Sequence, residues 1–261
     1  TGHGITRRNR TDLDANDLNI GLNHEVRGLC AGSERVYAAC EDGRIRIYDT
    51  ALNDIGEFNL SNPYEMCLDH EHTLWILQGT DALLRYDRDG TKLSQEIHLP
   101  AGVLAKDVAI MHDGRLLITD AGEKDQIRIY KNIASDPELD QTFGETGGID
   151  GGDDPGNIGT MRFLHPVGVG CDANGNIYVA NGNPAETSLG SALIQSYTQK
   201  GKLNWRVFAQ AWIDCPDIDP ATGTDLYTKN GHYTMDFSKS PGNEQTLKSI
   251  TYNFEDFPDH P

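Results

Sequence analysis

The chain has 261 residues, of which 37% are hydrophobic and 28 are glycine, a balance typical of a turn-rich β protein. Acidic residues outnumber basic ones by 40 to 22, which gives a formal net charge of −18 at pH 7. Such a charge opposes binding to nucleic acid and to anionic membranes, and it is compatible with cations or a basic partner. No apolar run approaches the roughly 18 residues of a membrane span.

The N-terminal segment, residues 1–24, is charged and lacks strand periodicity. We expect it to be an extension of the domain that follows or a part of that domain's closing repeat. The chain begins at Thr1 rather than at a methionine, so we expect either a processed protein or an incomplete sequence, and we expect a secreted or periplasmic location. Its five cysteines are an odd number, so at least one has no disulfide partner within the chain.

The following residues repeat one pattern: a short apolar strand, a polar turn and a second apolar strand. The copies read GLCAGSERVYAAC, EMCLDHEHTLWILQG, DVAIMHDGRLLITDAG and GVGCDANGNIYVANG, with a looser fifth copy, CPDIDPATGTDLYTKNG. A third strand ending near a tyrosine follows most copies, and a fourth strand follows after another turn. The repeat therefore predicts units of four short antiparallel strands.

The spacing of these units indicates the fold. The second strands begin near Val36, Leu74, Leu116, Ile177 and Leu226. Four strands recurring at roughly 40 residues are typical of a β-propeller blade. We predict an all-β fold, a β-propeller of four-stranded antiparallel blades, with five blades visible and six possible if the termini or a continuing chain close it. An irregular β-sandwich is the alternative, and an open propeller would expose sheet edges for pairing with another chain.

One copy carries a family resemblance. The stretch FLHPVGVGCDANGNIYVANG resembles the NHL-repeat consensus, and the FGETGG that precedes it resembles the end of an NHL blade. The resemblance covers roughly residues 25–237 and implies an NHL-like propeller. It is specific for architecture and says little about function, because one fold serves many activities. We therefore predict a propeller domain over residues 25–261 with an inserted loop at about 144–163.

The aligned copies predict two rings of residues around a central channel. The end of each second strand holds Cys40, Gln78, Asp120, Asn181 and Asn230. The start of each first strand holds Arg27, Glu65, Asp107, Gly168 and Cys215. Loops converge at this end of a propeller, so we expect ligands to bind there. The predicted ligand-binding residues are Gln78, Asn181, Asn230, His165 and Arg27.

Three carboxylates of these rings, Glu65, Asp107 and Asp120, are hard oxygen ligands of the kind that suits Ca²⁺. The arrangement is similar to the gluconolactonase and senescence-marker propellers, and that resemblance implies a divalent metal over the channel. Gly168 and Arg27 depart from the pattern, since the first offers no ligand and the second repels a cation. The alternative is that these polar groups bind water and tie the blades together.

The histidines allow a second metal hypothesis. His24, His165 and His232 align where they could converge on the axis and bind Zn²⁺, which would resemble the peptidyl-amidating lyase propeller. The alternative is that they are ordinary surface or loop histidines. The pair His70 and His72, in the sequence HEH, falls in a turn on the opposite face.

The insertion GETGGIDGGDDPGNIG places Asp150, Asp153 and Asp154 in a glycine-rich frame on the loop-bearing face. A calcium loop is one interpretation, although the spacing is not that of an EF-hand. A flexible lid or a partner-binding loop is the other.

These features favour a binding or scaffold module that presents its loop face to a protein, peptide or carbohydrate. The alternative is a metal-dependent hydrolase or lactonase, or a lyase, with Glu65, Asp107 and Asp120 as metal ligands. Binding is favoured because no general base or nucleophile accompanies those carboxylates in the sequence.

Overall fold

A computed structural model of the chain describes residues 2–7, 18–152, 159–182, 191–210, 217–227, 231–239 and 245–250. Every regular element in these ranges is a β-strand, so the predicted all-β class is confirmed for them. Accordingly, the described part of the chain contains no helix that could cross a bilayer. The chain divides into two compact units, Thr1–Glu186 with Ala192–Phe208, and Thr187–Ser191 with Ala209–Pro261.

The first unit contains four antiparallel sheets built from consecutive strands, which we call blades 1 to 4. Blade 1 contains β1 (Gly2–Arg7), β2 (Leu18–Ala31), β3 (Arg35–Cys40), β4 (Arg44–Asp49) and β5 (Asp54–Asn59). Blade 2 contains β6 (Pro63–Leu68), β7 (Leu74–Gln78), β8 (Ala82–Tyr86) and β9 (Lys92–His98). Blade 3 contains β10 (Val108–Ile110), β11 (Leu116–Asp120), β12 (Gln126–Lys131) and β13 (Glu138–Phe143). Blade 4 contains β14 (Pro166–Cys171), β15 (Ile177–Asn181), β16 (Ser191–Tyr197) and β17 (Leu203–Gln210).

The strands β2, β6, β10 and β14, one from each successive blade, lie next to one another in that order, and we call them the inner strands. The result is a four-blade β-propeller arrangement. The expectation of five or six blades in one propeller is not supported. Residues of the predicted fifth blade form a sheet in the second unit, with the same consecutive strand order. It contains β18 (Asp217–Ile218), β19 (Asp225–Tyr227), β20 (Gly231–Met235) and β21 (Gln245–Ile250).

An aspartate begins many of the tight turns and explains why the sequence turns where it does. In blade 4, Asp172 Oδ1 accepts hydrogen bonds from the backbone N–H groups of Asn174 and Asn176 at 2.9 and 2.8 Å. Asp49, Asp69 and Asp87 do the same for the residues two and four positions later. We call these four residues the turn aspartates. A carboxylate that accepts two amide hydrogens closes the turn without help from distant residues.

The core lies between the blades, because each sheet buries one face against the next sheet. The largest buried side chains between blades 1 and 2 include Tyr37 and Ile76. Between blades 2 and 3 they include Trp75 and Leu116, and between blades 3 and 4 Phe163 and Tyr197. The alternation of β-strand side chains thus supplies both faces of each blade with apolar residues.

The inner strands approach one another closely and carry bulges. The pairing of β2 with β3 shifts between Val26 and Gly28, and β14 with β15 shifts between Pro166 and Gly168. A Cβ atom on Gly28 would overlap the carbonyl oxygen of Tyr64 and lie 2.8 Å from Glu65 Cα. Only glycine therefore allows β2 to pack this tightly against β6.

Candidate functional site

In blades 1 to 4, the strand that follows each inner strand ends at Cys40, Gln78, Asp120 and Asn181, the residues that the repeat aligned. The fifth aligned residue, Asn230, lies outside the described residues. These strand ends and the starts of the inner strands form the loop-bearing end of the blades. The other end carries the tight turns between the first and second strands.

Two members of this set are bonded to the protein itself. Asn181 is buried; its Oδ1 accepts a hydrogen bond from Leu164 N at 2.8 Å, and its Nδ2 donates to Leu193 O at 3.0 Å and to Gln195 Oε1 at 3.1 Å. Gln78 Nε2 donates to Ser61 O at 3.0 Å. For these two residues the contacts fit the alternative in which polar strand ends tie the blade together.

The inner strands bring Glu65 and Asp107 together between blades 2 and 3. Burial, together with the charge of Asp107, raises the pKa of Glu65 from 4.5 to about 7, although a hydrogen bond from the N–H of Leu29 opposes the shift. Burial also raises the pKa of Asp107, even though the N–H groups of Val169 and Val108 donate to its carboxylate at 2.8 and 2.7 Å. We call these two residues the inner carboxylate pair.

The inner carboxylate pair lacks a compensating cation among the described side chains. Arg27, a basic residue that the sequence analysis placed in the same ring, instead donates to Asn62 Oδ1 at 2.9 Å and lies over the ring of Tyr64. Backbone amides satisfy some of the carboxylate oxygens, but they supply no full positive charge. The raised pKa values show that these hydrogen bonds do not offset the partial burial of the two carboxyls.

A second acidic group lies where β11 ends and β12 begins. Asp120 is fully buried, with Gly122 N donating to its Oδ1 at 3.1 Å and Arg128 Nη1 3.7 Å from its Oδ2. Asp125 is also buried, with a left-handed backbone at φ 46°. Burial raises the pKa of Asp125; the charges of Asp150 and Asp120 add to this shift, and His165 opposes it.

His165 links this group to blade 4. Its backbone N–H donates to Asp125 Oδ1 at 2.9 Å, and its Nδ1 lies 3.1 Å from the carbonyl oxygen of Ala121. A carbonyl only accepts, so Nδ1 carries a hydrogen and Nε2 is the ring nitrogen left for another contact. The backbone of His165 is also left-handed, at φ 41°, which is uncommon for a residue with a side chain. His165 Nε2 can therefore accept a proton or bind a metal ion.

The insertion is only partly described. Arg162, which is buried, donates to the carbonyl oxygens of Gly148 at 3.0 Å and Ile149 at 3.2 Å, and also to that of Gly151. These bonds hold the first half of the loop against blade 4. Asp150 is exposed, and Asp153 and Asp154 lie outside the described residues.

The other predicted histidines each have a carboxylate neighbour of their own. His24 Nε2 is 3.4 Å from Asp42 Oδ2, and in the second unit His232 Nε2 is 2.8 Å from Asp225 Oδ1. Within the described ranges, no group of three or more His, Cys, Asp or Glu side chains is arranged to hold a metal ion. The calcium and zinc sites stay predictions.

The sequence analysis missed Asp125. Its signal in the sequence is weak, one acidic residue in the loop GEKDQ that links the second and third strands. Its importance comes from His165, which lies 40 positions later and donates a backbone hydrogen bond to it. Four cysteines, Cys30, Cys40, Cys67 and Cys171, are free thiols. The β2–β3 register pairs Cys30 with Tyr37 and Cys40 with Val26, so these two thiols do not lie opposite each other.

No family model matches the chain, and no curated protein matches it by sequence. Solved structures do resemble it. A protein of unknown function from Bacteroides caccae shares 11% identity, with a TM-score of 0.59, over 80% of this chain and 76% of that one. Virginiamycin B lyase from Staphylococcus aureus shares 16% identity, with a TM-score of 0.53, over 97% and 79%. At such low identity the likeness supports the β-propeller fold alone.

Proposed function

We propose that this chain is a secreted or periplasmic, NHL-like propeller that acts as a binding module and takes a positively charged group of its ligand at the inner carboxylate pair. The observation that carries the proposal is the raised pKa of both Glu65 and Asp107 in the absence of a compensating cation among the described residues. A protein or peptide with basic side chains is the favoured partner, since the net charge of −18 also attracts it.

The energetic reason lies in the desolvation of the pair. Burial makes ionisation of Glu65 unfavourable near neutral pH, so the free protein holds a proton there for part of the time. An ammonium or guanidinium group placed between the two carboxylates replaces that proton and recovers the lost solvation. Binding should therefore release protons, and affinity should rise between pH 6 and 8, the range around the Glu65 pKa of about 7.

The test compares two double variants with the same net charge. We would measure binding of a hexalysine peptide by calorimetry to the wild type, to Glu65→Gln/Asp107→Asn, and to Asp136→Asn/Glu41→Gln. The last two residues are exposed and lie outside the inner strands. We expect at least a tenfold loss of affinity in the first variant and little change in the second. Equal losses in both variants would mean that the net charge alone attracts the peptide, and the proposal would be wrong.

A second candidate function is a metal-dependent hydrolase or lactonase, or a lyase, and His165 is the observation that favours it. The lone pair on Nε2 supplies the general base that the sequence analysis did not find. In this case Glu65, Asp107 and Asp120 would hold a divalent ion such as Ca²⁺. We would screen lactones and esters with and without Ca²⁺. A Ca²⁺-dependent activity that His165→Gln abolishes would support this function, and no Ca²⁺-induced rise in melting temperature would argue against it.

A further inference from the structure

Two histidines meet at the turn-bearing end, away from both acidic groups. His70 lies in the turn between β6 and β7, and His112 lies in the turn between β10 and β11. Their rings are edge to face with centroids 6.3 Å apart, and both side chains are exposed. The contact therefore joins the turns of blades 2 and 3, and neither residue takes part in the proposed binding of a cationic ligand.

The hydrogen bonds of His70 determine which of its nitrogens is available. Its Nε2 lies 3.2 Å from the carbonyl oxygens of both Met111 and His112. Carbonyl oxygens only accept, so Nε2 carries the hydrogen and Nδ1 keeps the lone pair. A histidine that binds a metal through one nitrogen commonly donates its other N–H to a backbone carbonyl, and His70 already has this arrangement.

Neighbouring charged side chains leave the two rings accessible. Asp113 is bound by Arg115 at 2.7 Å, and Glu71 is bound by Arg85 at 2.7 Å. Arginines thus bind both carboxylates, so the imidazole nitrogens are the main groups here that could bind a metal ion. The ring of His112 makes no hydrogen bond to any residue in the described ranges, so it can rotate.

We propose that His70 and His112 form a binding site for a borderline divalent transition-metal ion of the Zn²⁺ or Ni²⁺ class, which cross-links blades 2 and 3. Imidazole nitrogen suits these ions better than Ca²⁺ or Mg²⁺. Two imidazoles on one tetrahedral ion have ring centres about 5 Å apart. A rotation of the exposed His112 ring that brings it about 1 Å closer is therefore enough to form the site.

The number of protein ligands limits the affinity. No third His, Cys, Asp or Glu side chain in the described ranges is arranged to join the two. Water molecules complete the coordination, so the ion exchanges readily and resembles a reversible clamp more than a closed structural site. Because the ion binds the folded blades, it should stabilise them in proportion to its concentration.

The experiment titrates Zn²⁺ and, separately, Ni²⁺ into the wild-type protein, His112→Ala, His70→Ala and His98→Ala, by calorimetry and thermal melting. His98 is a control because its side chain is 70% exposed on β9, far in sequence from both turns. We expect one ion to bind the wild type and to raise its Tm by about 3–6 °C at a tenfold excess over Kd. We expect His112→Ala to lose at least tenfold in affinity and His98→Ala to bind as the wild type does.

Two outcomes would overturn the proposal: no saturable binding by the wild type, or His112→Ala binding the ion within twofold of it. His112→Ala is the decisive variant, because it removes an exposed ring and leaves the carbonyl that His70 contacts. Its Tm without metal should match the wild type. A loss of binding in His70→Ala alone would indicate a disturbed turn instead of a two-histidine site, and would also contradict the proposal.

Discussion

The two ends of the blades treat the same chemical group in opposite ways. At the turn-bearing end, Asp69 is buried, yet the hydrogen bonds of Thr73 and the Arg85 guanidinium outweigh the effect of burial and hold its pKa below the usual value. At the loop-bearing end, Glu65 and Asp107 are only half-buried, but their pKa values are raised. The difference is therefore not burial itself: Asp107 also accepts amide hydrogen bonds, but of these three carboxylates Asp69 is the one that a guanidinium binds.

This contrast separates carboxylates that build the fold from the two carboxylates that we propose bind a cationic ligand. The turn aspartates are satisfied by amides within four residues, so their role is complete once the turn forms. Ionisation of the inner carboxylate pair destabilises the folded protein, because the two charges are partly removed from water. Unsatisfied charge in an otherwise well-bonded structure is a recognised mark of a functional site.

The largest effect should come from removing the best-satisfied carboxylate. Asp69 Oδ2 accepts hydrogen bonds from Arg85 at 2.7 Å and from Thr73 Oγ1 at 2.5 Å. Asp69→Ala would leave Arg85 buried without its main partner and should cost about 3–5 kcal/mol in the free energy of unfolding. Urea denaturation at pH 7 measures this. The exposed control Asp136→Asn should change little, and a similar small loss for Asp69→Ala would show that the two ends do not differ as described.

The second largest effect is expected from a substitution that disturbs the packing of the inner strands and leaves every charged residue unchanged. Gly28→Ala places a Cβ atom against Tyr64 and Glu65, so β2 and β6 must separate. Overpacking of this kind costs about 1–3 kcal/mol. Gly21→Ala, on the same strand, meets no atom within 4 Å and serves as the control. If strand separation admits water, the pKa of Glu65 in Gly28→Ala should also fall towards 4.5, which NMR titration can follow.

The third prediction is a substitution that stabilises the protein, whereas most substitutions destabilise it. Because the pKa of Glu65 rises from 4.5 to about 7 on folding, its ionisation destabilises the protein as the pH increases across that range. Glu65→Gln should therefore stabilise the protein by about 1–3 kcal/mol at pH 8. The gain should disappear below pH 4.5, where the carboxyl is protonated in both the folded and the unfolded chain. A gain that is independent of pH would contradict the assignment.

The smallest effect is expected at an exposed turn. Burial raises the pKa of Asp87, but hydrogen bonds from the N–H and hydroxyl of Thr91 and from the N–H of Asp89 outweigh burial and hold the pKa below its usual value. Asp87→Ala should cost about 1 kcal/mol at neutral pH. The sign is opposite to that for Glu65: the loss should be present above the unfolded-state pKa of 3.8 and should vanish as the pH falls through the lower folded-state value. Denaturation at pH 7 and pH 3 tests it.

The sequence allowed the blades to be predicted because their information is local. Asp172 and Asn176 fix a turn within five residues, and the strand ends at Cys40, Gln78, Asp120 and Asn181 follow from hairpins of this kind. The number of blades in one propeller depends on packing between distant segments. For this reason the sequence did not give the number of blades reliably: five or six blades were predicted, and four are supported.

The sequence allowed most residues of the candidate site to be identified, but it did not show which of their charges are neutralised by neighbouring residues. Glu65, Asp107, Asp120 and His165 were identified from aligned positions. Which of them would be neutralised could not be read from spacing, because Arg27 binds Asn62 and Arg128 approaches Asp120. Asp125 was missed for a related reason, since its contact with His165 joins two different blades.

The consecutive order of strands within each sheet has a kinetic consequence. Every blade pairs strands that are neighbours along the chain, so each hairpin can form in microseconds before distant segments meet. The interblade cores also join sequence neighbours, which makes stability approximately a sum of blade and nearest-neighbour terms. Amide hydrogen exchange should then decline in steps, so that the molecule loses its order one blade at a time.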